Sequence, residues 1–183
     1  FFFTNSGSES NDLALRIARN KNKSNDTIVL DGAYHGHLTS LIEISPYKYK
    51  GPGGNPPPTY VHEVPMPDKF RGKYRGPKSE DQYLDEFKKR LLIIEERRQV
   101  PTFIYESFMG CAGQIPVPTN FLKKAHNLVH GKGGLCIADE IQIGFGRLGT
   151  HFWGFEYHDV NPDIITIGKS IGNGHPLSVV ITT

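Results

Sequence analysis

Strand-like and helix-like segments alternate along most of this chain, and this alternation constrains the fold more than any other feature. Short apolar runs at 27–31, 102–105 and 135–138 are separated by amphipathic stretches of helical period. Such alternation is typical of an α/β domain with a mostly parallel sheet flanked by helices. In these domains the functional residues follow the carboxyl ends of the strands. We therefore expect the site residues to lie in the loops.

The composition narrows the class of protein further. The chain has 183 residues, of which 37% are hydrophobic and 22% charged, which is enough apolar surface for one folded core. A net charge of +2 provides no electrostatic basis for nucleic-acid binding, and no apolar run is long enough to cross a membrane. Two cysteines, Cys111 and Cys136, suit a reducing compartment better than a disulfide framework. We expect a small-molecule partner rather than nucleic acid or membrane.

Residues 45–78 interrupt the alternation. The stretch is rich in Pro, Gly and Lys, and only 59–64 is strand-like, so we expect a long surface loop that borders the site. Ser79 and Gln82 have the spacing of a capping box, which predicts that a helix opens at Ser79.

Two strand ends carry the residues with the clearest chemistry. Lys169 lies in the run 163–170, after an apolar stretch. Asp139 lies thirty residues upstream, at the end of an apolar strand. Pyridoxal phosphate needs a lysine to bind its aldehyde covalently and a carboxylate to keep its ring nitrogen protonated. Gly7 and Ser8 open a helical pattern, where backbone N–H groups can hold a phosphate. Together these residues indicate a pyridoxal-phosphate site.

Two other interpretations were weighed. A P-loop ending at Gly168-Lys169-Ser170 requires a glycine at the position of Asp163, so that motif is excluded. His126 and His130 have the i, i+4 spacing of zinc ligands, but the glutamate expected after the first histidine is Asn127. We therefore interpret both histidines as surface residues.

With these residues identified, the chain resembles the class III pyridoxal-phosphate aminotransferases of fold type I. The resemblance covers essentially the whole chain, and the segments that carry it are 5–9, 33–41, 45–49, 71–75, 138–142, 144–147, 151–153 and 172–176. It is stronger still to a branch containing the ethanolamine-phosphate and 5-phosphohydroxy-lysine phospho-lyases, also called alanine–glyoxylate aminotransferase 2-like proteins. The resemblance implies that 1–183 form the central part of a large cofactor-binding domain, without the family's N-terminal segment and C-terminal small domain.

The resemblance also assigns roles to individual residues, and these are expectations. Gly7 and Ser8 would bind the cofactor phosphate, and Lys169 would form the covalent link and act as the catalytic residue. Tyr34 would stack on the pyridine ring, and Glu106 would lie near it. The remaining two contacts would be Asp139 with the ring nitrogen and Gln142 near the phenolic oxygen.

One departure from the aminotransferases favours the phospho-lyase branch. Many class III transaminases carry a second glutamate five residues after the one that corresponds to Glu106, and this chain has Cys111 there. A lyase has one amino substrate and needs no carboxylate for switching between two. We therefore expect a phospho-lyase acting on a phosphorylated amine or amino acid, with a class III transaminase or an inactive cofactor-binding fragment as alternatives.

The resemblance further implies a homodimer or homotetramer, located in mitochondria or the cytoplasm. Basic residues of the long loop, among them Lys50, Arg71 and Arg75, either help to attract a dianionic phosphate or are solvated surface charges.

Overall fold

The computed structural model describes residues 1–183. Its nine strands are β1 (Phe2–Thr4), β2 (Thr27–Leu30), β3 (Val61–Val64), β4 (Thr102–Glu106), β5 (Phe108–Met109), β6 (Ile115–Pro116), β7 (Leu135–Asp139), β8 (Ile164–Ile167) and β9 (Ser178–Thr182). Its helices are α1 (Gly7–Asn22), α2 (Thr39–Ile42), α3 (Pro46–Tyr49), α4 (Ser79–Glu96), α5 (Thr119–His130) and α6 (Gly154–Tyr157), with a 3₁₀ turn at Lys169–Gly172. None of the helices is both long and apolar enough to span a membrane.

Seven of the strands form one sheet in the order β1-β9-β8-β7-β4-β2-β3, and β5 pairs with β6 separately. The five strands from β8 to β3 are parallel to one another, whereas β9 runs antiparallel to both of its neighbours. The predicted mostly parallel sheet is therefore confirmed, with one antiparallel strand, β9, between β8 and β1, which the sequence did not indicate. The register pairs Glu106 with Asp139, so both carboxylates end their strands at the same edge.

Helices cover both faces of the sheet, because side chains alternate between the faces along each buried strand. In β4, Phe103 packs on the face covered by α4 and α5, where its ring lies 5.0 Å from that of Phe87. Ile104 points to the opposite face, where it joins Leu15 of α1. Burying a large side chain of this kind stabilises the fold by about 1.5–3 kcal/mol. The sheet is thus held between two apolar layers, and its carboxyl edge is left for the loops.

The helix at residue 79 is confirmed, but the proposed capping box is wrong. Ser79 is already helical, and its hydroxyl donates to the Gly76 carbonyl at 2.7 Å instead of capping the backbone. The residue before the helix, Lys78, makes no side-chain cap. Ser79 is therefore the first residue of the helix rather than its cap.

The long loop at 45–78 contains β3, as predicted, and also α3, which was not predicted. Pro46 occupies the first turn of α3, where a missing N–H costs nothing. Tyr47 of this helix meets the ring of Tyr34 edge-on at 5.7 Å. The loop therefore borders the residues proposed for the site, as the sequence indicated.

The interpretation of His126 as a surface residue is wrong. Its side chain is buried, and its ring lies 5.1 Å from that of Tyr105 on the central strand. The apolar face of α5, which includes Phe121 and Leu122, packs against the sheet and carries His126 inward with it. His130, one turn later, is exposed.

Candidate active site

A cleft opens at the carboxyl edge of the sheet, and all seven residues that the sequence proposed for the site line it. They are Gly7, Ser8, Tyr34, Glu106, Asp139, Gln142 and Lys169. The lining also includes five residues that were not proposed, namely Ser6, Asn11, His35, Gly36 and Ile141. Loops after β1, β2, β4, β7 and β8 thus meet around one space, which parallel strands make possible.

The N-terminus of α1 forms one wall of the cleft. Ser6 caps the helix, because its Oγ accepts from the Glu9 N–H at 3.2 Å and its carbonyl accepts from the Ser10 N–H at 3.0 Å. The N–H groups of Gly7 and Ser8 have no acceptor within the protein. Two free donors at the positive end of a helix can hold a phosphate.

A glycine allows a neighbouring loop to close over this helix end. Gly36 has φ +131°, and a Cβ there would lie 2.6 Å from Ser8 Oγ. The adjoining His37 N–H donates to the same Ser8 Oγ at 3.2 Å. Only a residue without a side chain can therefore bring this loop against the helix start.

The carboxylate of Asp139 is buried and held by several donors. Its Oδ2 accepts from Asn11 Nδ2 at 2.7 Å and lies 2.9 Å from His35 Nδ1, while Oδ1 accepts a longer bond of 3.3 Å from the Ile141 N–H. Asn11 Oδ1 in turn accepts from Thr166 Oγ1 at 2.6 Å. Asn11 therefore connects α1, β7 and β8 and fixes the direction of the carboxylate.

Glu106 shapes the cleft by accepting two backbone N–H groups. Its Oε1 accepts from Tyr34 at 3.1 Å and its Oε2 from Gly110 at 2.9 Å. Burial raises the pKa of this carboxyl, and the neighbouring Asp139 raises it further. The side chain thus fixes the turn that presents Tyr34 and the loop that leads to Cys111.

The aromatic ring of Tyr34 and the side chain of Ile141 supply the apolar surface of the cleft. Burial raises the pKa of the Tyr34 phenol, so the hydroxyl stays protonated at neutral pH. Gln142, beside them, has its amide nitrogen 3.8 Å from Cys111 Sγ. A Cβ on Gly110 would come within 2.5 Å of that amide, so this glycine makes room for Gln142.

Lys169 is the exposed member of the set, and its side chain borders the cleft directly after β8. Its φ of 45° is unusual for a residue with a side chain. The next residue, Ser170, accepts from Arg147 at 3.2 Å, which anchors the turn. Strained backbone of this kind is concentrated at functional sites.

Two of the residues that were not proposed have a recognisable sequence signal. Asn11 lies four residues after Gly7 and so shares its helix face, and His35 directly follows Tyr34. Neither position indicates a contact with Asp139, since that contact depends on how three distant segments meet. The contributions of Gly36 and Ile141 likewise become visible only in the folded chain.

The residues present fit pyridoxal phosphate. Free backbone donors at a helix start suit its phosphate, a buried carboxylate suits its ring nitrogen, and a lysine suits its aldehyde. His35, which contacts this carboxylate, has its Nε2 buried without a hydrogen-bond partner from the protein. The fold and this set of groups are those of a pyridoxal-phosphate-binding domain.

The sequence profile of the family described as Aminotransferase class-III matches residues 1–183. The chain therefore belongs to the class III aminotransferase family, as its sequence motifs indicated.

Relatives in this family include both aminotransferases and phospho-lyases. The alanine–glyoxylate aminotransferase 2-like protein of Drosophila melanogaster is 47% identical, over 100% of this chain and 38% of its own length. The ethanolamine-phosphate phospho-lyase homolog 1 of Caenorhabditis elegans is 43% identical, over 98% of this chain and 42% of its own. The human mitochondrial alanine–glyoxylate aminotransferase 2 is 41% identical, over 100% of this chain and 39% of its own length. The chain thus spans about two fifths of the length of these relatives.

Solved structures show the same two activities. An Arthrobacter phospholyase in complex with phosphoethanolamine superposes with a TM-score of 0.88 at 35% identity, over 100% of this chain and 43% of its own. The omega transaminase of Pseudomonas jessenii in complex with PMP superposes with a TM-score of 0.90 at 26% identity, over 100% of this chain and 42% of its own. The fold is therefore shared across both groups, and fold alone does not separate them.

Proposed function

We propose that the whole protein is a pyridoxal-phosphate-dependent phospho-lyase. Its substrate would be a phosphorylated amine such as ethanolamine phosphate or 5-phosphohydroxy-lysine, and its products an aldehyde, ammonia and phosphate. The observation that carries this proposal is the position of Cys111. Its Sγ lies 3.8 Å from the amide nitrogen of Gln142, which lines the cleft. The loop thus offers an uncharged thiol where many class III transaminases carry a second glutamate.

The charge distribution around the cleft supports this choice of substrate. The acidic groups that line it are Glu106 and Asp139, and both are already engaged by donors from the protein. A carboxylate at position 111 would lie beside Gln142, next to the cleft, and would repel a dianionic substrate. Burial and the nearby Glu106 raise the pKa of the Cys111 thiol, which therefore remains neutral at pH 7.

When bound, pyridoxal phosphate supplies an electron-accepting ring that stabilises negative charge on the amine-bearing carbon. The residues of this chain would bind and orient the cofactor. Gly7 and Ser8 would bind the cofactor phosphate with their N–H groups, and Tyr34 would stack on the ring. Asp139 would accept a hydrogen bond from the ring nitrogen, and Gln142 would contact the phenolic oxygen.

Lys169 would move the proton. Its amine would take the proton from the amine-bearing carbon, phosphate would leave from the adjacent carbon, and water would then release ammonia and the aldehyde. Glu106 would keep Tyr34 and the Cys111 loop in place around the reacting carbon. Among the basic residues of the long loop, Lys50 is paired with Asp31 and Glu63, which argues against a role for it in attracting the substrate.

The main alternative is a transaminase of the alanine–glyoxylate type, supported by the relatives with that name. The decisive experiment supplies ethanolamine phosphate and 5-phosphohydroxy-lysine to the full-length protein. Release of inorganic phosphate and ammonia is measured beside amino transfer to pyruvate or glyoxylate. Phosphate release that exceeds amino transfer supports the lyase. Efficient amino transfer without phosphate release identifies a transaminase, and neither reaction identifies an inactive cofactor-binding chain.

We also propose that 1–183 form the central part of the large cofactor-binding domain of a homodimer or homotetramer, in mitochondria or the cytoplasm. The coverage of the relatives supports the first point, and the mitochondrial human relative supports one of the two compartments. Light scattering of the full-length protein tests the assembly, and a monomer would contradict it.

A further inference from the structure

A second cluster of reactive side chains lies away from the cleft, between α5 and the sheet. It consists of His126 and His130 on α5 and Cys136 on β7, and one nitrogen or sulfur atom of each lies within 4.8 Å of the others. Cys136 is near the amino end of β7, whereas Asp139 is at its carboxyl end, about 10 Å along the strand. The cluster is therefore separate from the proposed active site.

His126 is incompletely paired within the protein. Its side chain is 3% exposed, it makes no hydrogen bond, and its Nε2 is buried without a partner. Buried polar atoms nearly always have a hydrogen-bond partner, so an unpaired imidazole nitrogen indicates a missing ion or other ligand.

Asp163 contacts the side chain of His130 and the backbone of Cys136. Its Oδ2 lies 2.9 Å from His130 Nε2 and accepts from the Cys136 N–H at 2.7 Å. An imidazole that donates one ring N–H to a carboxylate presents its other nitrogen as a metal ligand, an arrangement common around metals in proteins. The half-exposed His130 also provides a path for an ion from solvent.

We propose that His126, His130 and Cys136 bind a zinc ion, with water as the fourth ligand. One thiolate and two imidazoles form a ligand set that zinc prefers, and the i, i+4 spacing places both histidines on one helix face. Ligand atoms around a tetrahedral zinc lie about 3.5 Å apart, so the side chains would move inward by roughly 1 Å. On binding, the Cys136 thiol gives its proton to solvent, and Asp163 offsets part of the remaining positive charge.

The ion would connect the end of α5 to β7, the strand that carries Asp139. Since zinc would bind the folded chain, the midpoint of thermal unfolding should rise with zinc concentration. This stabilisation does not depend on the reaction at the cleft.

The test uses the full-length holoenzyme after removal of metal by a chelator. Zinc is titrated against a chromophoric competitor, and the bound ion is examined by X-ray absorption. We expect one zinc per chain, with one sulfur near about 2.3 Å and nitrogen near about 2.0–2.1 Å. Cys136→Ser and His130→Gln should each weaken binding by more than about tenfold. Cys111→Ser, at the other cysteine, is the control and should bind zinc normally.

His130→Gln keeps the test informative if the buried Cys136→Ser fails to fold, because His130 is exposed and its loss leaves the core intact. Absence of stoichiometric zinc would overturn the proposal. So would a coordination shell without sulfur, or affinity that both variants leave unchanged.

Discussion

His35 Nδ1 lies 2.9 Å from Asp139 Oδ2, and both side chains are almost completely buried. The same oxygen accepts from Asn11 Nδ2, so two donors occupy Oδ2 while Oδ1 receives a single long bond from the Ile141 N–H. Oδ1 is therefore the atom with capacity left to accept a hydrogen bond from a ring nitrogen in the cleft. The geometry of the proposed site depends on this division between the two oxygens.

Asp139→Asn should impair catalysis much more than cofactor binding. The amide oxygen would take the place of Oδ2, where it satisfies Asn11 and His35, and the amide nitrogen would then face the cleft, where it cannot accept a ring N–H. We expect kcat to fall by about 10²–10³-fold, equivalent to about 2.7–4 kcal/mol, with cofactor affinity changed far less. Asp85→Asn, in an exposed pair with Lys88, is the control. Near-normal kcat in Asp139→Asn would show that another group contacts the ring nitrogen.

Lys169→Ala should retain the fold and lose covalent cofactor. Lys169 is exposed in the cleft, and its side chain makes no hydrogen bond to the core. The free energy of unfolding should therefore change little. Turnover should fall by at least about 10²–10⁴-fold, the range for loss of a positioned acid–base group. Borohydride reduction followed by peptide mapping measures the linkage, with Lys132→Ala, in the surface pair with Glu95, as the control. A label on a lysine other than Lys169 would contradict the assignment.

Gly36→Ala should weaken binding of the cofactor phosphate. The new Cβ would lie 2.6 Å from Ser8 Oγ, and φ of +131° is itself strained for alanine, so the loop must move away from the helix start. We expect a loss of about 1–3 kcal/mol in cofactor affinity, measured by fluorescence titration of the apoenzyme. Gly53→Ala is a matched control, because Gly53 also has positive φ (+75°) but open space around it. Equal effects of the two substitutions would exclude a specific role for Gly36.

Cys111→Glu should reduce phosphate elimination. A carboxylate at this position would lie beside Gln142 and repel a dianionic substrate, so kcat/KM for a phosphorylated amine should fall about tenfold or more. Cys111→Ser, which changes size and chemistry without adding charge, should retain most of the activity. Amino transfer is assayed in the same preparations. Unchanged phosphate release in Cys111→Glu would separate Cys111 from the choice of reaction.

The stability of the fold should decrease as the pH falls from about 6.5 to 4. His158 is fully buried, with Nε2 donating to the Ser107 carbonyl at 3.0 Å, and burial lowers its pKa to about 4. In this window the unfolded chain binds a proton that the folded chain does not, so His158 costs roughly 2 kcal/mol of stability at pH 5.

His158→Gln should therefore flatten the dependence of unfolding free energy on pH between 7 and 5, since glutamine does not titrate. Denaturant unfolding at both pH values measures this effect, and His151→Gln, at an exposed histidine, is the control. An unchanged slope in His158→Gln would show that other groups dominate the acid sensitivity.

The sequence by itself determined the main strands and helices and the chemistry of the strand ends. Apolar runs and helical periods predicted β4, β7, α4 and α5, because these patterns depend on neighbours a few residues apart. Lys169, Asp139 and the Gly7-Ser8 pair were recognisable as a cofactor-binding set, and family resemblance added Tyr34, Glu106 and Gln142. All seven lie around one cleft, while their individual roles remain predictions.

Only the tertiary structure decided which distant groups touch. The contacts of Asp139 with Asn11 and His35 join segments separated by more than a hundred residues, and the burial of His126 depends on which face of α5 meets the sheet. The antiparallel direction of β9 is likewise set by how distant strands pair in the sheet. Such features follow from long-range packing, in which many apolar side chains are buried together, and short patterns do not encode them.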